Sequence, residues 1–91
     1  MAVIHFEIRG RVQGVGFRWF VKEQARALGL RGWVSNKPNG NVELAAAGDV
    51  EALEKFARVA EKGPRGAVVE GVTQLPPPDE ESLPKPFGIL R

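Results

Sequence analysis

Polar and apolar residues alternate at the start of the chain. Ile4, Phe6 and Ile8 take one side, and Val3, His5, Glu7 and Arg9 the other. A period of two with one apolar face predicts a strand over residues 2–10, one side of it on a core. At Phe17 the period changes. Phe17, Phe20, Val21, Ala25 and Leu28 fall on one helical face, with Lys22, Glu23 and Arg26 turned away, and Gly29 supplies a C-cap. Residues 31–37 read as a second strand carrying Trp33 and Val34. Pro38-Asn39-Gly40 signals a turn, so Val42 to Ala47 returns as the third strand of a hairpin. Asp49 caps a second helix whose buried stripe is Val50, Leu53, Phe56, Ala57 and Ala60, and Gly63-Pro64 ends it. Ala67 to Leu75 reads as a fourth strand with a bulge at Gly71. Residues 76–86 begin with three prolines, continue into Asp79-Glu80-Glu81-Ser82, and read as an exposed loop. Phe87 to Leu90 reads as a short final edge strand.

The order β-α-β-β-α-β plus a terminal strand predicts an α+β chain of ferredoxin-like split β-α-β type. Its mostly antiparallel sheet has four to five strands and carries both helices on one face. In that topology strands one and two run parallel with strand three between them. The loop after strand one and the end of strand two then share one edge of the sheet, roughly 9–10 Å apart. Asn36 stands at the end of strand two.

Ninety-one residues suit a single domain, taken as residues 1–91. No apolar run approaches the roughly 20 residues of a membrane span, and no signal-peptide pattern opens the chain, so a cytoplasmic location without a membrane partner is expected. Cysteine and tyrosine are absent and His5 is the only histidine. That inventory removes thiolate chemistry and makes an imidazole-built metal site improbable; no metal and no cofactor are expected. The net charge of +2 is scattered rather than striped, which suits a small anionic ligand better than nucleic acid.

Between the first strand and the first helix lies Gly10-Arg11-Val12-Gln13-Gly14-Val15-Gly16-Phe17-Arg18. A glycine-rich strand-to-helix turn aims several backbone N–H groups at one point, and the helix N-terminus adds partial positive charge. Arg18 would sit in the first helical turn, where a cation opposes the macrodipole. A bound anion makes sense of both features.

These nine residues, with Gly32-Trp33-Val34-Ser35-Asn36, Pro38-Asn39-Gly40 and Val42-Glu43, closely resemble the acylphosphatase family, and size and element order fit from Val3 to Arg91. The glycine spacing matches neither the P-loop nor the dinucleotide fingerprint. The resemblance implies hydrolysis of small acyl phosphates to a carboxylate and inorganic phosphate, without a metal and without a phosphoenzyme; a monomer is the default expectation, and the sequence does not determine the oligomeric state. By position, Arg18 corresponds to the phosphate-binding arginine and Asn36 to the asparagine that orients the attacking water. The loop residues Val12, Gln13, Gly14, Val15, Gly16 and Phe17 correspond to the backbone donors for phosphate oxygens. Ser35 stands where the family leads one to expect a larger, often basic residue.

Duller readings exist for each residue: a solvated helix-end arginine for Arg18, a strand-end or turn residue for Asn36. The main rival for the whole chain is an RNA-binding module, which would display stacking aromatics on the open sheet face. That face carries Val3, His5, Glu7, Arg9, Glu43 and Ala45, without an aromatic pair, which argues against it. Other rivals are an accessory domain serving a partner enzyme, and a chain that keeps the fold without turnover.

Overall fold

The computed structural model describes residues 2–90. Its elements are β1 (Ala2–Arg11), α1 (Phe17–Ala27), β2 (Arg31–Asn36), β3 (Val42–Gly48), α2 (Val50–Lys62), β4 (Val68–Gln74), a short 3-10 turn (Glu80–Ser82) and β5 (Gly88–Leu90). The strands form one sheet in the order β4-β1-β3-β2-β5. β3 lies antiparallel between β1 and β2, with Phe6 and Val34 both opposite Leu44. β5 joins the edge parallel to β2, Ile89 facing Val34. The sheet is therefore mixed at one edge and antiparallel elsewhere.

Alternation decides which residues meet the helices. Phe6, Ile8, Val34, Val42, Leu44 and Ala46 are buried on one sheet face, against Phe17, Val21 and Ala25 of α1 and Leu53, Phe56 and Ala60 of α2. Each fully buried Phe, Leu or Val side chain is worth roughly 1.5–3 kcal/mol. α1 ends at Ala27 with Leu28 as its C-cap, and Gly29, with φ 71°, reverses the chain so that Leu30 drops into the same core.

The structure departs from the pattern reading in four places. Val50 continues the apolar spacing of α2 but is 59% exposed, because periodicity does not say where along a helix the surface it packs on ends. Asp49 occupies the N-cap of α2 but makes no side-chain capping bond. The bulge falls one residue from Gly71: Arg9 pairs with Gly71 and Gly10 with Val69, so Glu70 is the extra residue.

The fourth departure is the loop. Residues 76–86 contain the 3-10 turn and are not wholly exposed, since Leu83 is 1% exposed among Ala45, Ala47, Val3 and Trp33 on the sheet face opposite the helices. Arg31 Nε donates to Leu83 O at 2.8 Å, and the Gly32 N–H to Pro84 O at 2.8 Å. The prolines forbid a ladder strand, yet the segment carries one leucine that the second face can bury. Trp33 faces that side too, edge-on to His5 at 5.7 Å.

Candidate active site

The site begins with a backbone constraint. Between the end of β1 and Phe17, Gly14 (φ 76°) and Gly16 (φ 77°) both adopt the left-handed conformation that costs other residues about 1–2 kcal/mol. The loop thereby curls onto the start of α1. Gly16 is the N-cap, offers no side chain to the helix, and no acidic residue stands in the first turn. The first N–H bonded within the helix is that of Phe20, to Gly16 O at 3.0 Å. The N–H groups of Phe17, Arg18 and Trp19 remain as donors. Bare amides at the positive end of a helix dipole form an anion cradle.

Beside it lies a cavity of about 300 Å³ lined by Val12, Gln13, Gly14, Gly16, Phe17, Arg18, Trp19, Asn36 and Ile89. The structure thus brings Arg18 and Asn36, eighteen residues apart, to one space. Among the described residues no carboxylate lies within ion-pair distance of Arg18. Asn36 Oδ1 is buried and no protein group among the described residues donates to it. Leaving a buried acceptor unpaired costs about 1–3 kcal/mol, which packing alone does not justify.

Of the residues expected to bind phosphate or to orient the water, all line the cavity except Val15, whose side chain packs on the core. Ser35 does not line the cavity either. Sequence reasoning missed two lining residues. Trp19, 61% exposed, follows Arg18 directly, and a large exposed aromatic beside a candidate ligand was an available signal. Ile89 depends on the register of β5, which no local pattern specified. Two contacts fix that strand. Phe87 is fully buried edge-on to Phe56 (5.9 Å), and Arg26 Nε donates to Phe87 O at 2.8 Å.

The hairpin turn that follows Asn36 is held from β1. Asn41 Nδ2 donates to Glu7 Oε2 at 2.6 Å and Asn39 Nδ2 to the same oxygen at 3.2 Å, while Lys37 Nζ stands 3.7 Å from Glu7 Oε1. The Asn41 amide first, then that of Asn39, hold the Glu7 carboxyl below its ordinary pKa. Lys37 also lies 3.6 Å from Glu43, which meets His5 Nε2 at 2.6 Å; His5 Nδ1 is 2.9 Å from Pro76 O. His5 therefore serves the second sheet face, not the cavity.

A family model described as Acylphosphatase matches residues 4–89. The acylphosphatase of Thermococcus kodakarensis is 52% identical over 60 residues, 66% of this chain and 66% of that protein, just under two thirds of its length. That of Thermotoga maritima is 39% identical over 87 residues, 96% of this chain and 91% of that one. The crystal structure of acylphosphatase from Bacillus subtilis superposes with a TM-score of 0.91 at 34% identity, covering 100% of both chains. With a family model matched from residue 4 to residue 89 and a solved acylphosphatase superposing over the whole length, the chain belongs to the acylphosphatase family.

Proposed function

We propose that this chain hydrolyses the carboxyl–phosphate bond of small acyl phosphates, releasing a carboxylate and inorganic phosphate, with no metal and no cofactor. The observation that carries the reading is the single cavity shared by the α1 N-terminus, Arg18 and Asn36. In this mechanism the backbone N–H groups of residues 12–17 and the Arg18 guanidinium bind the phosphoryl oxygens. A guanidinium grips two oxygens at once, which an ammonium cannot copy. The Asn36 carboxamide orients a water for in-line attack on phosphorus.

The leaving carboxylate has a conjugate acid of pKa about 4, so it departs without protonation and no general acid is needed. Phosphoryl transfer asks mainly for positioning and charge stabilisation, which suits a cavity whose lining holds no carboxylate, imidazole or thiolate. The reading takes residues 1–91 as a single domain that works as a monomer.

Two observations weigh against the RNA-binding alternative. Leu83 covers part of the open sheet face, around Val3, Trp33, Ala45 and Ala47, and the carboxylates Glu7 and Glu43 stand on the rest of it. Benzoyl phosphate offered at neutral pH with a chelator present tests the proposal. Rapid hydrolysis unaffected by the chelator is expected; hydrolysis at the background rate overturns it.

A further inference from the structure

The cradle and the carboxamide belong to different parts of the fold, and in-line attack requires their separation to be fixed. One side chain spans them. Gln13 Nε2 donates to Lys37 O at 2.8 Å and to Asn41 O at 2.9 Å. Both partners are carbonyl oxygens, so the end of the amide that meets them must be the NH2 group. Lys37 and Asn41 also close the turn itself: the Lys37 N–H donates to Asn41 O at 2.8 Å, and the Gly40 N–H to Lys37 O at 3.1 Å. Gln13 therefore reaches from the middle of the anion loop to the mouth of the hairpin, one residue beyond Asn36. With both amide hydrogens engaged, its side chain has no donor left for a phosphate.

We propose that Gln13 is a positioning residue, whose side-chain amide sets the distance between the cradle around Arg18 and the carboxamide of Asn36. The proposal rests on the hydrolase reading above and extends it. On the hairpin's other side Glu7 holds Asn41 and Asn39. The turn is thus pinned from two directions, and among the described residues no side-chain hydrogen bond other than those of Gln13 joins it to the loop. Phosphate binding depends on the loop and α1, which are continuous through the Gly16 N-cap and do not need the strap to meet. Water alignment depends on loop and hairpin together. Losing the strap should accordingly affect kcat more than phosphate affinity.

A double-substitution cycle tests this, reading kcat with benzoyl phosphate and phosphate affinity by calorimetry. Gln13→Ala should lower kcat by about tenfold to a hundredfold, the scale of a small misplacement. Phosphate affinity should change by less than about threefold. In an Asn36→Ala background the same substitution should leave kcat within about threefold, because the group it positions is gone. If Gln13→Ala does not fold, Gln13→Met, which keeps the length without the donors, goes through the same cycle. Additive losses, or a fall in phosphate affinity as large as the fall in kcat, overturn the proposal. Wild-type protein without turnover removes the hydrolase reading and this proposal together. Turnover with an additive cycle removes the Gln13 role alone.

Discussion

Arg18 and Asn36 each break a rule that stability alone would enforce, and the two breaches make opposite kinds of test. A cation in the first turn of α1 opposes the helix dipole by about 0.3–1 kcal/mol. Arg18→Ala is therefore expected to leave the melting temperature unchanged or slightly higher while removing phosphate binding, read by calorimetric titration and thermal unfolding on the same sample. Arg18→Lys restores the charge but not the two-pronged geometry, and little activity should return. Asn36 holds a buried acceptor that no protein group satisfies. Asn36→Ala should reduce kcat by about 10²–10³, the effect of losing one positioned hydrogen-bonding group, with phosphate affinity kept and stability no lower. An equal loss of binding and rate would assign Asn36 a different job.

Elements carry the parts of the molecule that local pattern reads well and the parts it does not. β1 and both helices follow from alternation at period two or apolar spacing near 3.6, because one face of each must be buried, and β2 and β3 follow from the turn signal at Pro38-Asn39-Gly40 between them. The same reasoning placed Arg18 and Asn36 at one sheet edge, since split β-α-β topology leaves little freedom there. Leu83 and Ile89 were not legible. Their positions depend on pairings with residues fifty or so positions earlier, Arg31 and Val34, and nothing around them announces those partners. Leu83→Ala is expected to cost about 2–5 kcal/mol, as for a buried leucine elsewhere, without changing kcat, since it lies behind the sheet. Denaturant unfolding and turnover together check it. The hairpin adds a pH dependence. Glu7's folded pKa lies below its unfolded value, so its contribution is complete above the unfolded value and disappears as pH falls through the folded one. Unfolding midpoints measured from neutrality to about pH 3 should fall less steeply in Glu7→Gln than in the wild type.

At the scale of the whole molecule, the candidate site exists only when the fold is complete. Its lining comes from the β1–α1 loop, the end of β2 and the edge strand β5, brought together through the sheet and the Arg26–Phe87 contact. An unfolded chain offers scattered amides with Arg18 held in no fixed relation to them, and no cradle. Inorganic phosphate should therefore bind the native state alone and stabilise it by RT ln(1 + [L]/Kd). At a concentration ten times Kd this is about 1.4 kcal/mol, which for a chain of this size raises the melting temperature by about 6–11 °C. Sulfate at equal ionic strength acts as a tetrahedral competitor, whereas chloride controls for screening of the net charge of +2. Arg18→Ala should lose most of the phosphate-dependent rise, and Asn36→Ala should keep it. A rise of the same size in both variants would mean that phosphate stabilises the protein from somewhere other than this cavity.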